Sequence, residues 1–403
     1  MSDPTTPKPS QPTQRLQSLD AYRGFVMLAM ASEGLGLSDV AEKFPQNKVW
    51  QWLGYQASHV EWSGCAFWDL IQPSFMFMVG VALPFSYAHR RAKGDSHAWI
   101  TAHALYRSLV LVALGVFLYS MGRDQTNFTF VNVLAQIGLG YGFLFLLVNR
   151  PNWLVWSAAA VVLVGYWLAF AWHPLPPSDF NPASVGVPPD FENYTGFFAH
   201  WNKNANFASD FDVWFLNLFP HTEPFKYNGG GYQTLNFVPS LATMIFGLLA
   251  GRLMIGPVSP SGKITRLIVA GLAALLIGWV LGIYVCPVVK RIWTPTWAIF
   301  STGWTCLMLA AFYAVIDIGG WRRWSFPLLV VGANSIAMYM LASTVHHFVS
   351  HSLTTHLDTP FKAVLGRGIF EGTYGPIVQS VAVLLVLWLV CYWMWRKRIF
   401  IKI

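Results

Sequence analysis

His59, Trp62, Gly64, Trp68 and Asp69 fall within one short stretch, HVEWSGCAFWDLIQPSFMFMVG, that runs directly into an apolar segment. An imidazole near a carboxylate is the pairing used in general-base and nucleophilic catalysis. The carboxylate sets the tautomer, stabilises the charged ring and leaves the second nitrogen free. Asp69 opens a membrane-length apolar run, where an unpaired polar group costs several kcal/mol, so it reads as a site residue. Its competing reading is a helix cap, because an Asp in a first turn accepts from free backbone N–H groups. His59 has a plain reading too, as a loop histidine. Glu33, ten residues beyond Arg23 in the preceding apolar run, is a second carboxylate with no basic residue beside it in that run. Arg23 follows Asp20 by three residues and shares its helical face. That spacing fits a structural ion pair, and a guanidinium at a membrane mouth also fits an anionic phosphate.

The elements that position these groups are membrane helices. Of 403 residues, 55% are hydrophobic and 11% charged, against about 25% charged in a soluble chain. The fold class expected is all-α, a polytopic helix bundle. Ten apolar stretches lie near 19–38, 66–88, 103–121, 131–149, 153–172, 234–255, 264–285, 293–317, 325–348 and 377–395. The histidine-rich run HHFVSH leaves the end of the ninth undefined, so an eleventh or a re-entrant segment stays open. Residues 1–15, rich in Pro, Thr, Ser and Gln, read as a disordered cytoplasmic tail rather than a signal peptide. Residues 16–403 read as a single transmembrane domain with an outer loop at about 173–233. Cys65, Cys286, Cys306 and Cys391 lack CxxC spacing, which indicates neither a zinc site nor a disulfide framework. A lone Cys65–Cys286 bridge is the one pairing that shared depth allows.

With ten spans, both termini share a face. The loops on that face carry most of the Lys and Arg, including Arg90, Arg91, Lys93, Arg150, Arg252, Arg322 and Arg323, so the termini read as cytoplasmic. The net charge of +8 follows from this topology and does not indicate nucleic-acid binding. At the helical rise of about 1.5 Å per residue, Glu33 lies roughly 15 Å deeper than Arg23. His59, Glu33 and Asp69 are therefore expected to converge at the outer face. Asn132, Gln136, Asn236, Thr294, Thr296 and Trp297 fall at similar depth, and Asn334 falls nearer the middle. Together they would line a polar cavity.

The runs RLQSLDAYRGFVMLAM, HVEWSGCAFWDLIQPSFMFMVG, NFVPSLATMIFGLLAGRL, WTPTWAIFSTGW and GANSIAMYML resemble, in that order, the heparan-alpha-glucosaminide N-acetyltransferase family of membrane acyltransferases and its bacterial relatives. The resemblance covers most of the chain from Arg15 to about Leu341. It implies transfer of acetyl from cytoplasmic acetyl-CoA to the amine of a glucosamine on the far side, with no metal. The family's histidine precedes a W-x-G-x-x-x-x-D-L run, which here matches His59 before Trp62, Gly64, Asp69 and Leu70. Its lysosomal members carry an asparagine where this chain has Glu33, which bears on the acceptor. The resemblance also implies an integral membrane protein of a bacterial inner membrane, with acetyl-CoA, an amino sugar or glycan and the bilayer as partners and a homodimer left open.

The expected roles are then His59, Asp69 and Glu33 in catalysis, Asn236 and Asn334 as oxyanion donors and Trp62 and Trp297 as sugar-stacking faces. Arg23 would meet a CoA phosphate. His346, His347, His351 and His356 form an outer cluster; His347 and His351 have i, i+4 spacing, but no carboxylate or cysteine motif accompanies them, and no metal is expected. Two other readings use the same residues. A polysaccharide O-acetyltransferase would take a hydroxyl acceptor, and a transporter would use the cavity without chemistry.

Overall fold

The computed structural model describes residues 16–401, so the tail expected at 1–15 lies outside the described residues. Among the described residues the chain is helical, and its single bridge between extended segments joins Ser63 to Val289. The helices are α1 (Gln17–Ala31), α2 (Leu37–Glu42), α3 (Lys48–Gln56), α4 (Ile71–Ala92), α5 (His97–Ser120), α6 (Val133–Leu146), α7 (Asn152–Ala171), α8 (Phe207–Leu216), α9 (Phe237–Ile255), α10 (Pro260–Tyr284), α11 (Pro295–Phe312), α12 (Phe326–Ala333), α13 (Ser335–Leu353), α14 (Thr359–Leu365) and α15 (Gly375–Arg396).

Seven segments are long and apolar enough to cross a membrane: Phe67–Ala92, α5, α7, Thr234–Ile255, α10, Pro295–Ile318 and α15. Two further helix pairs are apolar enough together to cross but are bent, by 52° between α1 and the segment Glu33–Glu42, and by 73° between Arg323–Ala333 and Ser335–Leu365. The fourth apolar stretch, expected over 131–149, holds only the 14-residue α6, short of the roughly 20 residues a span needs. Asn132 caps its start, accepting from the Ala135 N–H at 2.8 Å. The ninth stretch does not end at the histidines: α13 runs through them into a π turn at Thr354–Asp358 and then α14.

Glycines set the spacing of the bundle. A Cβ on Gly80 of α4 would strike the Met244 carbonyl of α9, and one on Gly247 of α9 would strike the Phe77 carbonyl of α4. Lipid supplies no hydrophobic drive between helices, so this backbone approach, with the van der Waals contact it permits, is what joins them. The site-bearing helix α4 is thereby fixed against α9, with Met76, Phe77, Met244, Ile245 and Leu248 buried around the crossing.

Residues 172–233 fold over one end of the bundle. Trp62, Tyr166, Phe170, Phe191 and Trp201 form a separate buried aromatic cluster there with Cys286, Val289 and Ile292. The cluster ties this segment to the loop between α10 and α11.

Candidate active site

The segment after α3 places His59 and then turns into a short 3-10 helix, Phe67–Leu70, that continues as α4. Asp69 is 1% exposed. Its Oδ2 accepts the backbone N–H of Val60 at 3.2 Å and of Ala66 at 3.1 Å. Its Oδ1 lies 2.7 Å from His59 Nδ1. One carboxylate oxygen thus caps the helix start, and the other lies against the imidazole.

A third group joins them. Lys290, 4% exposed, places Nζ 3.0 Å from His59 Nδ1 and 3.3 Å from Asp69 Oδ1. At 2.7 Å, two acceptor lone pairs would repel, so Nδ1 carries the proton and donates to Asp69. That leaves Nε2 of the neutral ring with a free lone pair. The His59 side chain is 38% exposed, open enough to be reached. Burial lowers its pKa from the usual histidine value, Asp69 opposes this, and the charges of Lys290 and Arg291 add to the lowering. Burial also brings Lys290 down to about 8, against the pull of Asp69.

The loop that carries Lys290 is bonded on several sides. Gly64 N–H donates to Val288 O at 3.0 Å, and Val289 N–H donates to Thr294 Oγ1 at 3.0 Å. Thr296 Oγ1 donates to Pro287 O at 2.8 Å, Tyr166 OH to Ile292 O at 3.0 Å and Asn236 Nδ2 to Arg291 O at 2.7 Å. Trp293 adopts φ +45°, a left-handed conformation that costs a side-chain-bearing residue roughly 1–2 kcal/mol. Arg291 donates to Gly230 O at 2.6 Å and stacks over Tyr232, 5.5 Å from the ring centroid.

A cavity of about 360 Å³ lies along α4, and neither His59 nor Asp69 is among its lining residues. Phe75, Met78, Val79, Ala82, Leu83, Ser86, Tyr87 and Arg90 of α4 line it on one face. From Phe75 to Arg90 is roughly 22 Å along the axis at 1.5 Å per residue, and Phe75 lies about 9 Å along from Asp69. Arg23, Arg90, His103 and Arg107 line the cavity as well. Arg90 meets His103 Nε2 at 2.9 Å, and Arg107 lies 4.9 Å from the Tyr141 ring centroid. Arg23 contacts Asp20 at 3.5 Å, so pairing and cavity lining coexist. A larger groove of about 930 Å³ is walled mainly by apolar groups such as Phe25, Trp52, Trp304 and Leu384 and holds no ionisable group except Cys65.

Several sequence expectations need correction. Glu33 does not join His59: its carboxylate is 61% exposed and lies 3.4 Å from His346 Nδ1 of α13. The depth argument failed there because α1 ends at Ala31, and Glu33, Gly34, Leu35 and Gly36 all take positive φ, which turns the chain aside. Asn334 is fully buried, but its Nδ2 donates to Ile399 O at 2.9 Å and its Oδ1 accepts from Ile401 N–H at 3.0 Å. It ties down the C-terminal segment and offers no oxyanion donor. Asn236 spends its N–H on Arg291 O, leaving a buried Oδ1 without a partner. Trp62 is 5% exposed and donates to Trp201 O at 3.0 Å, and Trp297 is 0% exposed. Neither presents a ring face for a sugar to stack on. All four cysteines are free thiols.

Sequence reasoning missed Lys290. A signal was present: the pair Lys290–Arg291 interrupts apolar VCPVV and IW on the face where basic residues are fewer. Its distance from His59, 231 positions along the chain, hid the contact.

No family model matches the chain. It is 23% identical to the heparan-alpha-glucosaminide N-acetyltransferase of Homo sapiens, in an alignment covering 99% of this chain and 62% of that protein. It is 21% identical to the protein of the same name from Mus musculus, over 96% of this chain and 60% of the relative. The chain thus spans less than two thirds of the length of these curated relatives, and the similarity extends along nearly all of it.

Proposed function

We propose that this protein is a transmembrane acetyltransferase that takes acetyl from acetyl-CoA at the face where Arg23, Arg90 and Arg107 lie. It passes the acetyl to an amino sugar at the His59 face. The observation that carries the reading is the imidazole of His59 held at Nδ1 by buried Asp69 and left free at Nε2, on a chain that also has a cavity along α4 lined by arginines. Similarity to two proteins named as N-acetyltransferases supports the same class of reaction.

In this reading Arg23, Arg90 and Arg107 hold the phosphates of the donor, since guanidinium groups form charge-assisted contacts with them. The pantetheine arm follows the α4 face and brings the thioester carbonyl toward His59. His59 Nε2 takes a proton from the acceptor amine as its nitrogen attacks the carbonyl carbon. The C–S bond breaks, and the proton passes from His59 to the departing thiolate, giving the acetamide and free CoA. Asp69 holds Nδ1 throughout and stabilises the transient imidazolium. A second route, attack of Nε2 itself to give an acetyl-histidine, uses the same geometry.

The cations beside His59 favour a second acceptor type. Lys290 and Arg291 disfavour a protonated amine, so an uncharged amine or a hydroxyl fits better, and a hydroxyl acceptor would make this a polysaccharide O-acetyltransferase. CoA release by purified wild type and His59→Ala, measured with glucosamine and with N-acetylglucosamine, tests the proposal. The expected result is release with glucosamine that vanishes in the variant. Release with N-acetylglucosamine alone would assign the hydroxyl acceptor, and no His59-dependent release with any acceptor would end the acetyltransferase reading.

A further inference from the structure

The geometry points to Lys290 as a positioning residue that keeps the ring of His59 uncharged, by setting an ammonium against both that ring and the carboxylate oxygen it uses. The inference rests on the role of His59 proposed above and concerns how its basicity is set. Asp69 Oδ1 is shared: the imidazole N–H reaches it at 2.7 Å and the ammonium at 3.3 Å, with the two nitrogens 3.0 Å apart. A second positive charge on the ring would stand against the ammonium at that distance, so the three groups accept one cation readily and two poorly.

The placement of Lys290 is built. The loop 285–294 is bonded to the Ser63–Gly64 segment, to α7 and to Asn236, and it delivers an ammonium that is almost wholly buried. The charged and titratable groups facing the trio are Arg291 on the same loop, Cys65 on the facing segment, Tyr55 on α3 and Tyr232 beneath both cations. Arg291 has the same sign as Lys290 but is tied to Gly230 O and Val60 O, so Lys290 is the cation in contact with the ring. When His59 accepts the acceptor proton, the ammonium destabilises the imidazolium. It thereby speeds return of that proton to the thiolate, and the same atoms and charges are conserved through the cycle.

The test reads His59 directly. Diethyl pyrocarbonate acylates neutral imidazole, so the pH dependence of its incorporation at His59, followed by mass spectrometry on the full chain in liposomes, reports the ring's titration. In Lys290→Met the midpoint should rise by about one unit or more, and the acidic limb of kcat/KM for acetyl transfer should move with it. Lys290→Arg should keep both near wild type. A purely structural lysine would lower activity at all pH values and leave the midpoint in place. Should the Met variant fail to fold, Lys290→Gln supplies the same comparison. An unchanged midpoint in a folded neutral variant overturns the assignment. A shifted midpoint in a protein that releases no CoA would sustain Lys290 while rejecting the acetyltransferase reading.

Discussion

The His59 site and the arginine-lined cavity along α4 are built on different principles. At the His59 end, side chains close on one another: His59 on Asp69, Asp69 on two backbone N–H groups and Lys290 on both. The loop beneath is fixed by further bonds and includes a left-handed tryptophan. At the Arg90 end, charges come from three helices, α1, α4 and α5, and line a void. Proton transfer and acyl attack tolerate little misplacement, whereas long cationic side chains bind a phosphate over a range of positions. The first end is suited to chemistry and the second to capture.

Mutations at the two ends should therefore separate in kind. His59→Ala is expected to give the largest effect, a fall of roughly 10³-fold in kcat with acetyl-CoA KM little changed, measured by CoA release. Asp69→Asn keeps the shape but removes the charge that holds Nδ1–H, and should lower kcat by about 10²-fold or more, by analogy with misoriented catalytic histidines. Arg90→Ala should act on the other parameter, raising KM for acetyl-CoA by roughly 10-fold through loss of one charged contact; a change confined to kcat would blur the division. Burial and the neighbouring cations hold the His59 pKa below the usual histidine value. The neutral, active form therefore persists to lower pH, and the acidic limb of the wild-type kcat/KM profile should lie below about 6.5. Glu33→Gln, at an exposed carboxylate paired with His346, should change activity less than about twofold, in keeping with the small worth of exposed ion pairs.

What could be read from the chain alone follows from how far each inference had to reach. The ten apolar stretches were legible because hydropathy over twenty residues is a strong signal, and each corresponds to a span, a bent pair or the short α6. The contact between His59 and Asp69 was within reach because ten residues and one helix start separate them. Counting rise per residue failed for Glu33, where four positive φ angles in succession break the helix. Asn334 was misplaced for a similar reason: its backbone leaves helical geometry at the 73° break, and its amide is claimed by residues 399–401. The tryptophans were recognisable as aromatic but not as buried: Trp62 is covered by the segment 172–233, and Trp297 lies within the core between the helices. Lys290 depended on a loop crossing to the far side of the site, which no local pattern records.

The most direct measurement is sidedness. In sealed vesicles containing uniformly oriented protein, labelled acetyl-CoA is supplied only at the Arg90 face and glucosamine only at the His59 face. Labelled N-acetylglucosamine accumulating at the His59 face, and absent with His59→Ala, is the predicted result. Product that forms only when donor and acceptor share one face would contradict a passage along α4.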